Sequence, residues 1–217
     1  MALKLAVIIS GEGTNLQALI KACAQASFPA NIQIVISNKE NAYGLERAKN
    51  AGIKSLVINS KQYTNRENFE EKLNHCITKA NVELICLAGF MQIFSAQFIK
   101  KWHNKIINIH PSLLPAFKGL NVQARAINEG AMFSGCTVHF VREKIDDGPI
   151  IIQAAVPVLQ DDTSEVLKKR ILKQEHLIYP IAVRWIAENR VYVNGDRVKI
   201  TGIKNQESAI INPSQQR

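Results

Sequence analysis

The residues most able to do chemistry together are an asparagine, a histidine and an aspartate in the second half of the chain. Asn108 and His110 lie two positions apart in an apolar run, so in an extended strand their side chains share one face. Such a pair can aim an amide N–H and an imidazole at one oxygen atom. Asp146 lies in an acidic turn between two later apolar runs, where it could meet His110 in the fold. The structural alternatives are a histidine that only satisfies its neighbours and an aspartate that only caps a Gly-Pro turn.

A glycine-containing loop, Ser-Gly-Glu-Gly-Thr-Asn at positions 10–15, joins the first apolar run to a segment with helical spacing. A helix that begins after such a loop offers unpaired N–H groups and a positive dipole end to an anion. The loop is not a dinucleotide fingerprint, because Leu16 occupies the third glycine position, and it lacks the Gly-Lys-Ser/Thr ending of a P-loop. It therefore predicts a phosphomonoester or phosphoribosyl site, the alternative being a tight turn capped by Thr14 or Asn15.

Three further polar residues fall in apolar surroundings. His139 alternates with apolar neighbours and could simply be a core histidine bonded to backbone. On a helical wheel of residues 163–189, Gln174 falls within the apolar stripe and Glu175 on its flank, so both are predicted to point toward the body of the protein. Polar groups held there need partners. A ligand amine and an internal hydrogen-bond network both remain open.

The elements that must position these residues alternate between short apolar strands and helices. We predict an α/β fold with a doubly wound, mostly parallel sheet, a mixed C-terminal part and a long C-terminal helix that Pro180 would bend. Strands are expected at 5–9, 32–36, 54–58, 82–87, 105–109, 136–141 and 150–158, helices at 15–26, 42–51, 65–80, 121–129 and 163–189, and a hairpin at 191–198. Ligands of such sheets bind beyond the carboxyl ends of the strands, where the glycine loop and the Asn108–His110 pair both fall.

Composition narrows the class of protein. The 217 residues are 47% hydrophobic and 21% charged, which suits one globular domain and excludes a disordered or collagen-like chain. The formal charge of +9 raises three options: nucleic acid, an anionic membrane or small acidic substrates. Aromatic residues are only 6% with no stacking cluster, which disfavours an RNA-binding module. Residues 165–204 carry a net +5, which is typical of a solvated face.

No apolar run approaches the roughly 18 residues of a membrane span, and the N-terminus leads directly into a strand without a signal peptide. We therefore expect a cytoplasmic protein that binds neither membrane nor nucleic acid. The four cysteines are far apart without CxxC spacing, so reduced thiols are favoured over disulfides or a metal site.

Five segments resemble one enzyme family: 13–19, 87–91, 108–115, 135–141 and 174–176. Together they resemble the 10-formyltetrahydrofolate-dependent formyltransferases, whose marker is the run Asn-Ile-His-Pro-Ser-Leu-Leu-Pro. The glycine loop and the Gln-Glu-His triplet are similar to the phosphoribosylglycinamide formyltransferase branch, and matches extend from residue 5 to about 190. The resemblance implies a Rossmann-like formyltransferase fold. It would fill residues 1–205, with a phosphate-binding half at 1–100 and a folate-binding and catalytic half at 101–205. The polar composition of residues 206–217 predicts a mobile tail.

The resemblance also implies an activity. A formyl group would pass from 10-formyltetrahydrofolate, the co-substrate, to the amine of N1-(5-phospho-D-ribosyl)glycinamide, giving formylglycinamide ribonucleotide and tetrahydrofolate in de novo purine biosynthesis. No metal would take part, and the protein would be a monomer or homodimer.

Roles for single residues follow from the same resemblance. The implied catalytic residues are Asn108, His110 and Asp146, with Thr137 and His139 in support. The implied substrate-binding residues are Gly13, Thr14, Asn15 and Glu175. The implied folate-binding residues are Arg66, Met91, Gln92, Ile93, Phe94, Asn108, Arg142, Glu143, Lys144 and Ile145.

The sequence departs from the family pattern at four positions. Thr14 replaces a usual serine and keeps its hydroxyl, whereas Gln92 replaces a frequent arginine and removes a cation from the folate site. Glu12, beside the phosphate loop, would repel an anion and is expected to face solvent. Asp147 stands where a small residue is common, and spacing from His139 assigns catalysis to Asp146 instead.

The alternatives are two related enzymes and two different classes. Methionyl-tRNA formyltransferase needs an added C-terminal RNA-binding domain, for which the stretch after the long helix is too short. Formyltetrahydrofolate hydrolase carries an N-terminal regulatory domain, whereas here the first strand begins at once. The defective fingerprint disfavours a nicotinamide-dependent reductase, and the low aromatic content disfavours an RNA-binding module.

Overall fold

The computed structural model describes residues 2–204 and 207–213. Its main strands are β1 (Leu3–Ile9), β2 (Ala30–Ser37), β3 (Ser55–Val57), β4 (Leu84–Ala88), β5 (Ile106–His110), β6 (Phe133–Phe140) and β7 (Ile150–Pro157). They form one sheet in the order β3-β2-β1-β4-β5-β6-β7. The helices are α1 (Thr14–Cys23), α2 (Tyr43–Asn50), α3 (Arg66–Lys79), α4 (Ala96–Lys101), α5 (Val122–Asn128) and α6 (Ser164–Ala187). A hairpin of β8 (Val191–Asn194) and β9 (Arg197–Ile200) follows α6.

The first strand is apolar at successive positions because both of its faces are buried. Leu5, Val7 and Ile9 pack in a core shared with α1 and α6. Ala6 and Ile8 belong to a second core, shared with α3 and α4. Helices therefore cover both faces of the sheet, which confirms the predicted doubly wound α/β fold.

The sheet has a parallel half and an antiparallel half. β1 pairs in parallel with β2 and β4, and β4 pairs in parallel with β5. β6 is antiparallel to both β5 and β7, which confirms the predicted mixed C-terminal part. The order of the strands reverses between β1 and β4, and at such a point the loops beyond the strand ends leave a crevice. The backbone N–H of Met91, after β4, donates to Ser10 Oγ, after β1, at 3.1 Å.

Several element boundaries differ from the predicted ones. α1 ends at Cys23 rather than residue 26, and the chain then turns so that the Phe28 ring is buried. β6 begins at Phe133, three residues before its predicted start. The short α4 was not predicted, because its six residues span less than two helical turns and so cannot show a repeating pattern. Ser95 caps it by accepting from the Phe98 N–H at 3.2 Å.

The long helix α6 continues through Pro180, as one element of 24 residues. Its buried face differs from the predicted one. Glu175 lies within the buried stripe, whereas Gln174 is only half-buried, the reverse of the order given by the helical wheel.

The described parts of the chain contain no helix long and apolar enough to cross a membrane. All four cysteines are free thiols, as predicted. Burial raises the pKa of Cys23 to about 11 and that of Cys136 to about 12. Residues 205, 206 and 214–217 of the predicted boundary and tail lie outside the described residues. Within the tail, Asn212 Nδ2 donates to the carbonyl oxygens of Met132 at 2.7 Å and Val158 at 3.1 Å.

Candidate active site

Four polar side chains lie as two cross-strand pairs where β5 meets β6. The antiparallel register sets Asn108 opposite His139 and His110 opposite Thr137. Because alternate residues of a strand point to the same side, all four share one face of the sheet. The two-residue spacing seen in the sequence thus becomes a compact polar cluster at the end of β5.

Asp146 joins this cluster from the turn between β6 and β7. Its Oδ2 lies 3.4 Å from His110 Nδ1, and its Oδ1 lies 3.8 Å from His139 Nε2. The backbone N–H of Gly119 donates to Oδ2 at 2.9 Å. Asp146 has a φ of 50°, in the left-handed region that costs energy for a residue with a side chain. The structure thus brings together the three residues whose meeting the sequence could only suggest.

The two histidines of the cluster differ in their surroundings. His139 is 2% exposed, and burial lowers its pKa to about 4, so it is neutral at neutral pH. Its Nδ1 lies 2.9 Å from the Phe140 carbonyl and must donate there, which leaves Nε2 to accept from Asn108 Nδ2 at 3.3 Å. His139 therefore orients the Asn108 amide. His110 faces acceptors on both sides, Asp146 at Nδ1 and the Phe117 carbonyl at Nε2, 3.1 Å away.

Thr137 holds the loop that follows β5. Its hydroxyl donates to the Ser112 carbonyl at 2.7 Å and accepts from the Leu114 N–H at 3.1 Å. Gln153 Nε2 also donates to this hydroxyl, at 3.0 Å, and to the Leu114 carbonyl at 2.8 Å. The sequence reading missed Gln153, although it is the single polar residue in the predicted strand 150–158.

The glycine loop ends in a helix start that no side chain caps. Gly13 is the N-cap of α1 with a φ of 67°, and neither Thr14 nor Asn15 makes the capping bond that was the alternative to a phosphate site. A Cβ at Gly13 would lie 2.7 Å from Gly44 Cα, so glycine is needed for both conformation and space. The first N–H groups of α1 are therefore not capped by a side chain, and N–H groups of this kind can bind an anion. Glu12 is exposed, as expected.

A buried pair lies beside this helix start. Asn15 Nδ2 donates to Glu175 Oε2 at 2.6 Å, joining α1 to α6. Glu175 is 7% exposed, and burial raises its pKa although the Asn15 hydrogen bond and the charge of Lys168 act in the opposite direction. Asn15 Oδ1 is also buried and has no hydrogen-bond partner in the described part of the chain. An unpaired acceptor and a buried carboxylate side by side suit a ligand that brings N–H or O–H donors.

The segment after β4 has two exposed apolar side chains, Met91 and Ile93, which we call the apolar rim, and one buried ring. Met91 is 66% exposed and Ile93 is also exposed, whereas the Phe94 ring is buried and stacks on Phe98 with 4.5 Å between centroids. Gln92 Nε2 donates to Ser60 Oγ at 2.5 Å, and its buried Oε1 has no partner among the described residues. Phe94 therefore anchors the segment in the hydrophobic core.

The other residues of the implied folate site lie at two places. Arg66 is the exposed first residue of α3. The loop 142–145 precedes Asp146, and its last three residues are exposed. Arg142 donates to Asn104 Oδ1 at 2.6 Å and to the Val141 carbonyl at 3.0 Å, and burial lowers its pKa. Within residues 2–204 and 207–213, no group of three or more His, Cys, Asp or Glu side chains could hold a metal ion.

Comparison with known proteins places this chain in a family. Residues 3–183 match the formyl transferase family. The chain belongs to that family. A phosphoribosylglycinamide formyltransferase of Haemophilus influenzae is 42% identical over 210 residues, covering 94% of this chain and 99% of that protein. This relative confirms the family and branch predicted from the motifs.

A solved structure and a longer relative agree with this assignment. Glycinamide ribonucleotide transformylase 1 from Symbiobacterium toebii superposes with a TM-score of 0.90 at 47% identity, over 92% of this chain and 94% of that one. The human trifunctional purine biosynthetic protein adenosine-3 is 45% identical over 203 residues, which are 94% of this chain but only 20% of that protein. This formyl transferase thus spans about a fifth of the length of that trifunctional relative.

Proposed function

We propose that this protein transfers the formyl group of 10-formyltetrahydrofolate to the primary amine of N1-(5-phospho-D-ribosyl)glycinamide, a step of purine biosynthesis. The observation that carries the proposal is the cluster of Asn108, His110 and Asp146 at the end of β5. It lies on the same sheet as the uncapped start of α1, which offers N–H groups to a phosphate.

In this reaction the amine nitrogen attacks the formyl carbon, forming a C–N bond and a tetrahedral intermediate with a negative oxygen. The Asn108 amide, oriented by His139, would donate a hydrogen bond to that oxygen. The protonated His110 ring would donate a second one from Nε2–H, which would then be shared between the Phe117 carbonyl and the oxygen. Preorganised donors of this kind contribute about 2.7–4 kcal/mol each to stabilising the transition state. The bond from the carbon to N10 of the folate then breaks.

The proton released by the amine must reach the folate nitrogen that leaves. Asp146 lies 3.4 Å from His110 and would stabilise the protonated ring. The same carboxylate would help to relay the amine proton, through water, to N10. The Gly119 N–H and His110 both face Asp146 Oδ2, which leaves Oδ1 for this task.

The nucleotide substrate would lie between α1 and α6. Its phosphate would accept from the N–H groups and hydroxyl at Gly13, Thr14 and Asn15, since neither side chain caps the helix. Glu175 would meet the glycinamide end. The unpaired Asn15 Oδ1 supports this placement, because a substrate donor would satisfy it.

The folate would lie against the apolar rim after β4 and the loop 142–145, with Arg66 beside it. Gln92 supplies no charge to an anionic folate, so Arg66 and Lys144 are the cations proposed for that role. A cytoplasmic location and a monomeric or homodimeric state complete the proposal.

The test is to incubate purified protein with 10-formyltetrahydrofolate, with and without the glycinamide ribonucleotide, and to follow the formyl group. The proposal expects formylated nucleotide and tetrahydrofolate in equal amounts, and only when the acceptor is present. Release of formate without acceptor would instead identify a hydrolase, and an unchanged cofactor would rule out both activities.

A further inference from the structure

Three consecutive residues after β5, Phe117-Lys118-Gly119, each contact a different residue of the catalytic region; we refer to them as the bracket. The Phe117 carbonyl lies 3.1 Å from His110 Nε2. The Gly119 N–H donates to Asp146 Oδ2 at 2.9 Å. Between them, the Lys118 ammonium makes an ion pair with the carboxylate of Asp147. The bracket thus fixes the positions of His110 and Asp146 from one side.

The bracket does not have a backbone conformation that forms by itself. Gly119 has a φ of 84°, which glycine adopts without strain, whereas Phe117 has a φ of 52°, in the left-handed region that a residue with a side chain rarely adopts. Such a conformation persists only when surrounding contacts determine it. Arg125 supplies contacts on the outer side: its Nη1 donates to the Lys118 carbonyl at 2.7 Å, and its guanidinium lies 5.5 Å from the Phe117 ring centroid.

On the inner side, the Phe117 and Gly119 contacts use backbone atoms, so they do not depend on which side chains the bracket carries. The Lys118–Asp147 pair is the side-chain contact that joins the bracket to the turn carrying Asp146. Hydrogen bonding to Lys118 lowers the pKa of Asp147, with a smaller contribution from the charge of Lys144, so the aspartate is charged at neutral pH.

We infer that Lys118 and Asp147 are positioning residues, whose ion pair holds the bracket closed against His110 and Asp146 and so keeps these two groups aligned for formyl transfer. This inference rests on the proposed function. It gives Asp147, where a small residue is usual in the family pattern, a use that its sequence position did not explain. The side chains are 36% and 40% exposed, so the pair is weak by itself and acts on the alignment rather than on global stability.

The experiment compares Lys118→Ala, Asp147→Ala, the double variant and Lys118→Arg with the wild type, using Lys72→Ala on the exposed face of α3 as the matched control. In each protein we would measure steady-state kinetics and the hydrogen exchange rate of the Gly119 amide. Each alanine variant is expected to lower kcat about fivefold, with KM for the nucleotide unchanged within about twofold, since a small misalignment affects the chemical step first. Exchange at Gly119 should accelerate by a similar factor.

Coupling distinguishes the ion pair from two unrelated effects. The double variant should be no slower than either single variant, and Lys118→Arg should recover most of kcat. Additive losses would overturn the inference, as would wild-type kcat in the alanine variants with faster exchange at Gly119. If the wild type transfers no formyl group, the proposed function fails. The exchange measurements then still decide whether the pair closes the bracket, and unchanged exchange would refute it.

Discussion

The two halves of the candidate site are built in different ways. At the end of β1, the proposed anion site consists of backbone groups of one short segment, whose conformation follows from Gly13. At the end of β5, His110, Asp146, Thr137 and the bracket come from four separate parts of the chain. The first site therefore depends on local conformation and the second on tertiary contacts. Substitutions at the end of β1 should therefore affect mainly the binding of the nucleotide, and substitutions at the end of β5 should affect mainly catalysis.

The largest effect is expected at His110. His110→Ala removes a donor to the oxyanion and the partner of Asp146, so kcat should fall by about 10³-fold or more. KM for the nucleotide should stay within about threefold, because the phosphate loop is built independently. His75→Ala, an exposed histidine on α3, serves as the control in the same assay. Wild-type turnover in His110→Ala would refute the catalytic assignment.

The second prediction concerns the half of the site that depends on tertiary contacts, and how it makes the free energy of unfolding depend on pH. His139 has a pKa of about 4 in the folded protein, against an ordinary value of 6.5. Between these values the unfolded chain binds more protons, so the free energy of unfolding should decrease as pH falls from 6.5 to 4, by about 3 kcal/mol for this group. Above pH 6.5 the contribution is fully present.

Urea denaturation between pH 4 and 8 measures this effect as the difference between the wild type and His139→Gln. The difference isolates His139 from other groups, such as His176, whose pKa is also lowered by burial. His139→Gln should lose part of the acid sensitivity that His75→Ala retains. Parallel pH curves for His139→Gln and the wild type would show that His139 is not held neutral by the fold.

The contrast between local conformation and tertiary contacts also explains which parts of the fold and the site could be predicted from the sequence. The glycine loop and the buried strands were predicted because both leave a pattern in neighbouring residues: close glycines in one case and continuous apolar runs in the other. Asn108 and His110 were also found from a local pattern, since they lie two positions apart in an apolar run. The contacts of Phe117 and Gly119 were not, since a carbonyl and an N–H occur in almost every residue and give no pattern.

Long-range burial was equally hard to predict. Glu175 was assigned to the flank of its helix, because its angle on the wheel lies beside the predicted apolar stripe, whereas the buried face in the structure is wider and includes it. The structure buries it, since Asn15 on another helix accompanies it as a hydrogen-bond partner. Gln153 could have been noticed as a polar residue in an apolar strand, yet its partners, Thr137 and Leu114, appear only when β6 and β7 pair.

The third prediction tests the half of the site that depends on local conformation, by replacing each of two glycines in the same loop. Gly13→Ala forces a side chain into a φ of 67° and brings Cβ to 2.7 Å from Gly44 Cα. We expect a loss of about 2 kcal/mol in the free energy of unfolding and a higher KM for the nucleotide. Gly11→Ala is the matched control, since its Cβ would meet nothing within 4 Å. Equal Tm and KM values in the two variants would contradict the role given to Gly13.

The smallest of these effects is expected at Glu175. Its hydrogen bond with Asn15 is a tertiary contact within the half of the site that otherwise depends on local conformation. Glu175→Gln keeps the size of the side chain and an oxygen for Asn15, but it removes the charge that would meet the glycinamide end. We expect KM for the nucleotide to rise about tenfold, in the range of a lost hydrogen bond to a charged group, with a smaller change in kcat.

Burial raises the pKa of Glu175, so the wild-type carboxyl takes up a proton at a higher pH than an ordinary glutamate does. As the pH falls, KM of the wild type should therefore approach that of Glu175→Gln, whose amide resembles the protonated acid. The measurement is KM for the nucleotide from pH 5 to 8 in both proteins. A constant ratio of the two KM values over this range would mean that the Glu175 charge does not contact the substrate. The Asn15–Glu175 pair would then only join α1 to α6.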